Sequence, residues 1–307
     1  MKVISTLALA HDEWLEQRRK GIGGSDVAGI LGVSKWSSPI KVYMDKIGEL
    51  PPVEDNEAMY WGRVQEEIVA KEFELRSGMK VRRSNVIHQH PKYPWMLANV
   101  DRLIIGQKAG LECKTASSYL LDAWEGDQVP DAYLLQCMHY MEVLGYDEWW
   151  IAALIGGNRF VFKKIERDQE LIDFIVQKEA EFWQRVENRT PPDFDGSEAS
   201  GVLLSKLYPQ SVDGEVALLN PEEDEWIKAY LSAKQEIKTV EERLTLAENH
   251  LKGLMGECEF ARCGEFEIKW KTQKSNRIDT KTLQADMPEI YKKYLKESIS
   301  RPFKVKA

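Results

Sequence analysis

The chain has 307 residues, 43% of them hydrophobic and 30% charged, with a net charge of −8. That is enough apolar material for a real core in one large or two moderate domains, and an acidic balance excludes a protein that coats nucleic acid by global attraction. No run reaches the roughly 18 apolar residues of a membrane span, and Cys113, Cys137, Cys258 and Cys263 lack the paired spacing of a zinc site. Reduced thiols and a cytoplasmic protein are expected.

Residues 11–20 read as a helix with Trp14 and Leu15 inside it and Arg18 and Arg19 near its end. The turn 21–26, Gly-Ile-Gly-Gly-Ser-Asp, feeds a second short helix with Ser25 or Asp26 as N-cap. Exposed N–H groups at such a start, with the Ser25 hydroxyl and an arginine from the preceding helix, suit a phosphate, although glycines here serve equally to turn the chain. Ser38-Pro39 opens a helix closed by Gly48, residues 51–57 form a proline and acid loop, and residues 59–77 keep a helical period through Trp61, Val64, Ile68 or Val69, and Phe73 before Gly78. Glu66 and Glu67 lie mid-helix.

Two apolar runs around a glycine-bounded turn make residues 95–114 a β-hairpin. With the turn centred near Gln107 and Lys108, Asp101 falls opposite Lys114, and Glu112 is diagonal on the same face. Two carboxylates and a lysine at one sheet edge can hold a hard cation such as Mg²⁺ and act on a phosphodiester; the same three residues can also form a cross-strand ion pair on a solvated face. Pro130 opens a helix to Leu144 that places Gln136 and Tyr140 on one face. Residues 148–155 and 159–165 pair through Gly156-Gly157-Asn158, and Asp168 caps a helix to about residue 188. Residues 190–197 read as a linker. A long helix over about 221–255 follows, with Ile237, Val240, Leu244, Ala247, Leu251 and Leu254 three and four apart, then a small hairpin around Cys263-Gly264. Residues 269–307 hold eleven Lys or Arg against four Asp or Glu, a local basic end.

Taken in order, Arg18 with Gly-Ile-Gly-Gly-Ser-Asp, Trp61-Gly62-Arg63 with Glu66, Asp101, Glu112-Cys113-Lys114, and Gln136 with Tyr140 resemble the YqaJ-type viral recombinase nucleases. These are relatives of the bacteriophage lambda exonuclease within the PD-(D/E)xK superfamily, and the likeness covers about residues 10–190. It implies an α/β fold with a restriction-endonuclease-like core, a central mixed sheet flanked by helices, as a nuclease domain over 1–195. Residues 196–307 would add the helical arm and a small α+β extension. By resemblance Glu66, Asp101 and Glu112 bind one or two Mg²⁺ ions, which Mn²⁺ would replace, with the Cys113 carbonyl as a further ligand. Lys114 and Gln136 assist catalysis, and Arg18, Ser25, Asn99 and Tyr140 contact DNA or a terminal 5′ phosphate. Val100 replaces the family's usual proline before the acid, and Asn99 stands where the lambda enzyme has a phosphate-binding serine. The implied activity is a 5′-to-3′ exonuclease on linear double-stranded DNA that leaves 3′ overhangs for a phage single-strand annealing protein. It would work as a homo-oligomer such as a ring-shaped trimer, encoded by a phage or prophage. An endonuclease and a non-catalytic DNA-binding scaffold are the competing readings.

Overall fold

The computed structural model describes residues 2–52 and 55–305, so residues 53 and 54 of the expected acidic loop lie outside the described residues. The chain divides into two compact units, Met1–Leu207 and Tyr208–Ala307. The first begins with β1 (Lys2–Ser5), α1 (His11–Arg19), β2 (Ile22–Gly23), α2 (Gly24–Ile30), α3 (Pro39–Lys46) and α4 (Glu57–Ser77). Next come β3 (Val81–Arg83), β4 (Val86–Gln89), β5 (Met96–Ala98), β6 (Arg102–Ile104) and β7 (Ala109–Ala116). It ends with α5 (Asp131–Leu144), β8 (Glu148–Ile155), β9 (Arg159–Glu166), α6 (Gln169–Glu187) and α7 (Glu198–Leu207). Short polar side chains and glycines set the helix bounds. Asn56 Oδ1 accepts from Met59 N–H at 3.0 Å to start α4, and Gly78, at φ +73°, ends it in the left-handed conformation that a β-carbon disfavours.

Five strands form the sheet β3-β6-β7-β8-β9, in which β7 and β8 run parallel and the other pairs antiparallel. A parallel pair needs a crossover, and α5 supplies it. Alternation along β8 divides the core: Trp149, Ile151, Ala153 and Ile155 pack with α5 and α6, whereas Ala152 packs with Leu111 of β7 and with Val69, Ala70 and Phe73 of α4. Helix α4 therefore turns the C-terminal part of the expected stripe inward, Val69 and Phe73 together with Ala70, and leaves Trp61, Val64 and Ile68 exposed. A second sheet has the order β1-β4-β5-β2, with β2 and β5 parallel.

The expected hairpin over 95–114 divides between these sheets. Its first stretch, β5, pairs with β4 and β2, and only β6 and β7 form the hairpin. Arg102 faces Leu111 and Leu103 faces Gly110, so the turn closes one residue earlier than expected, at Gly106 with φ +83°. Continued one step, this register sets Asp101 across from Glu112 rather than Lys114. The pairing has moved by two residues, so Asp101, Glu112 and Lys114 keep one common face.

The first unit continues past the expected edge at residue 195, because Ala199 and Leu203 of α7 are buried, Leu203 against Ile40, Tyr43 and Phe182. The second unit contains α8 (Asp224–Met255), the hairpin β10 (Phe260–Cys263) and β11 (Phe266–Lys269), α9 (Thr280–Asp286) and α10 (Pro288–Tyr294). Among the described residues, no helix is long and apolar enough to cross a membrane.

Candidate active site

The face of β7 that carries Glu112 and Lys114 looks onto α5. Lys114 Nζ lies 2.7 Å from Glu112 Oε1 and donates to Gln136 Oε1 at 3.0 Å. Gln136 Nε2 donates to Glu112 Oε1 at 2.8 Å and to the Tyr140 hydroxyl oxygen at 2.9 Å, and that hydroxyl donates to the Asn99 carbonyl at 3.2 Å. Gln136 and Tyr140 meet because they are four residues apart on α5. Gly24 makes room for the ring, since a β-carbon there would lie 2.5 Å from Tyr140 Cε1. Tyr133, one turn before Gln136, puts its ring 4.7 Å from Lys114 Nζ.

Asp101 approaches from the end of β6, where its Oδ2 accepts from Cys113 N–H at 2.9 Å. Burial and the neighbouring Glu112 carboxylate push Asp101 well above the ordinary carboxylate range, against the pull of Lys114. Burial opposes the charge of Lys114, but Glu112 and Asp101 outweigh it and raise the lysine above its usual value. Glu112 Oε2 is buried with no hydrogen-bond partner. Two facing acids with an unsatisfied buried oxygen suit a hard divalent cation, which prefers oxygen ligands.

Glu66 stands apart from this pair. It and Glu67 reach over the opposite face of the sheet to Arg102, whose Nη1 donates to Glu66 Oε1 and whose Nη2 donates to Glu67 Oε2 at 3.0 Å. Arg83 adds a contact to Glu66 at 3.7 Å. Among the described residues, no three His, Cys, Asp or Glu side chains converge closely enough to hold a metal ion. Of the expected Glu66, Asp101 and Glu112, the last two face each other, whereas Glu66 is held by Arg102 and shares with Asp101 only the lining of a neighbouring cavity. Strand alternation, which turns the neighbour of Asp101 towards α4, was the signal that could have revealed Arg102.

The glycine turn closes the other side. Arg18 Nη2 donates to Ser25 Oγ at 2.8 Å, and its guanidinium lies 4.8 Å from the Trp14 ring. Arg19 instead faces Asp45, at 3.6 Å. The N-cap of α2 is Gly23, not Ser25 or Asp26; Asp26 sits three residues on and accepts from Gly23 N–H at 2.8 Å. This frees the Ser25 hydroxyl for Arg18. The buried Lys46 ammonium sits 2.6 Å from Asp26. Burial opposes the Asp26 charge, but Lys46 and Arg18 overcome it and hold the carboxyl below its ordinary value. The ion pair of Asp26 with Lys46 went unnoticed in the sequence because it joins residues twenty apart on different helices.

Arg18, Ser25, Asn99, Asp101, Glu112, Gln136 and Tyr140 line a single cavity of about 190 Å³. A second cavity, of about 420 Å³, adjoins it at Asn99 and Asp101 and reaches Glu66, Trp14 and His11. The first therefore joins the wall that carries Arg18 and Ser25 to a pair of acids, Asp101 and Glu112, with Gln136 between them and Lys114.

A family model described as the YqaJ-like viral recombinase domain matches residues 13–147. The chain is 46% identical over 302 residues to "Uncharacterized protein YqaJ" of Bacillus subtilis (strain 168), spanning 97% of this chain and 95% of that one. Among solved structures, the alkaline exonuclease LHK-Exo of Laribacter hongkongensis matches with a TM-score of 0.50 at 18% identity, over 64% of this chain and 100% of that one. Its complex with dAMP matches with a TM-score of 0.51 at 18% identity, over 64% of this chain and 97% of that one. The mixed sheet flanked by helices is an α/β, PD-(D/E)xK-like core.

Proposed function

The chain belongs to the YqaJ-like viral recombinase family, and from that premise we propose that it is a Mg²⁺-dependent deoxyribonuclease that degrades linear double-stranded DNA from its ends. The observation that carries this reading is the shared cavity, in which Arg18 and Ser25 stand on one wall and Asp101, Glu112 and Gln136 on the other. A site that holds a terminal phosphate beside the cutting residues acts on chain ends, and a 5′ phosphate gives 5′-to-3′ digestion with 3′ overhangs. The alkaline exonuclease that shares the fold, crystallised once with dAMP, supports the same substrate class.

Asp101 and Glu112 would hold the cation, with the Cys113 carbonyl as a further oxygen donor; Mn²⁺ would substitute. Glu66 would join them only on release from Arg102. The bound ion supplies charge neutralisation at the phosphodiester and an acidified water. Lys114, kept as an ammonium between Glu112 and Gln136, orients water and stabilises negative charge on the phosphate oxygens. Gln136 holds Lys114, Glu112 and Tyr140 in mutual register. Arg18, helped by Ser25, binds the terminal phosphate, and Asn99 and Tyr140 border it. Catalysis is assigned to the first unit, and the product strand would pass to a phage single-strand annealing protein in the host cytoplasm, from a homo-oligomer such as a ring-shaped trimer.

The test compares end-labelled linear duplexes bearing 5′-phosphoryl or 5′-hydroxyl termini, with Mg²⁺ or with EDTA, alongside a closed circle. Mg²⁺-dependent release of mononucleotides, faster from phosphorylated ends, is expected. Linear fragments cut from a closed circle would establish an endonuclease instead, and no digestion of any substrate would leave the scaffold reading.

A further inference from the structure

Helix α8 has 32 residues, or about 48 Å at 1.5 Å per residue. The apolar series from Ile237 to Leu254 extends backwards through Ala233 and Tyr230 to Trp226, still at alternating steps of four and three. That is four heptads of one seam, the length at which such a pattern specifies a coiled coil. Phe303 from the end of the second unit meets Tyr230, ring centroids 5.4 Å apart. Beyond that point the seam is open: Ile237, Val240, Leu244, Leu251 and Leu254 are each between 40% and 74% exposed.

We propose that α8 from Ala233 to Leu254 is a docking surface for a second copy of this chain, the two helices running antiparallel about a two-fold axis beside Glu242. The sizes of the seam residues choose this partner and orientation. About that axis Ala233 faces Leu251, Ile237 faces Ala247 and Val240 faces Leu244 of the second copy, so each small residue meets a large one and the layers fill. A parallel pair sets Ala233 against Ala233 and Ala247 against Ala247, leaving two gaps between bulky layers.

The flanking charges agree. In the antiparallel register Lys234 meets Glu248 twice and Glu236 meets His250 twice, against one Glu241 pair and one Arg243 pair at the axis. A parallel register brings Glu236 against Glu241 twice, with Arg243 to Glu248 as compensation. Lys234 and Arg243 form no ion pair among the described contacts of their own chain. The surface is independent of the nuclease reading, because its residues lie wholly in the second unit.

The experiment uses the full chain with the exposed Cys258 and Cys263 changed to Ser. Val240→Cys and Leu244→Cys proteins, made separately and mixed under mild oxidation, are expected to form a disulfide-linked dimer that neither forms alone at a comparable rate. In the chain otherwise unaltered, Leu244→Asp is expected to halve the particle mass measured by light scattering. Cross-linking of Val240→Cys with itself as fast as in the mixture would overturn the antiparallel register. An unchanged mass for Leu244→Asp together with no cross-link in the mixture would overturn the docking surface altogether.

Discussion

Replacing Glu179 with Gln removes the counter-charge of the most buried histidine in the fold. His139 follows Gln136 by one helical turn on α5 and is fully buried. Its Nδ1 lies 2.7 Å from Glu179 Oε1 on α6, and its Nε2 lies 2.9 Å from the Leu97 carbonyl on β5. The Leu97 carbonyl can only accept, so Nε2 carries a proton; with Glu179 as a carboxylate accepting from Nδ1 the ring is an imidazolium, a state that burial opposes at both partners because it also raises the Glu179 carboxyl. Burial opposes that charge, but Glu179 and the Leu97 carbonyl outweigh it and hold His139 above the ordinary histidine value. Glu179→Gln strands the imidazolium without its counter-ion, and breaking a buried pair on one side costs about 3–5 kcal/mol.

The linkage has a definite sign. A raised folded-state pKa stabilises fully below the unfolded value, about 6.5, and that stabilisation is lost as pH rises through the folded value. Each unit of elevation contributes about 1.4 kcal/mol. Urea unfolding of the first unit, followed by tryptophan fluorescence from pH 5.5 to 9, should show wild-type stability falling across this window and a smaller dependence in the variant. A variant within about 1 kcal/mol of wild type at pH 6, with the wild-type slope retained, would refute the charged pair.

Asp101→Asn should lower Mg²⁺-dependent DNA degradation by about a hundredfold or more while leaving the urea midpoint unchanged or raised, because it removes a carboxylate forced against Glu112; single-turnover assays on end-labelled duplex check the first part and unfolding the second. Arg18→Gln should erase the preference for 5′-phosphoryl over 5′-hydroxyl ends, a loss of about 1.5–3 kcal/mol for one charged hydrogen bond, seen in KM more than in kcat. Truncation after Leu207 should leave a folded first unit, whereas truncation after residue 195 should lower its stability by several kcal/mol, since Leu203 alone is a buried leucine worth about 2–5 kcal/mol against alanine; circular dichroism melts of the two fragments separate the outcomes.

The sequence by itself determined what depends on near neighbours. Gly78, Asp168 and Gly145 mark helix ends because capping and positive φ are local properties. The shared face of Asp101, Glu112 and Lys114 was readable because strand alternation survives a register error of two residues. Gln136 and Tyr140 were placed together by helical period alone. The ordered motifs were enough to suggest the family, which the likeness to the Bacillus subtilis protein then established.

What only the tertiary structure decided is which side chains meet between distant elements. Nothing in residues 95–105 announced that β5 belongs to one sheet and β6 to another, since both are short apolar strands. Arg18 turns to Ser25 and Arg19 to Asp45 because α1 packs with one particular rotation, and a one-residue rotation leaves no trace in composition. Arg102 captures Glu66 and Glu67 because α4 crosses that face of the sheet. Local backbone preferences are set within a few residues of the chain, but ion pairs and cavities depend on the packing angle between elements, and that angle is fixed by the whole core at once.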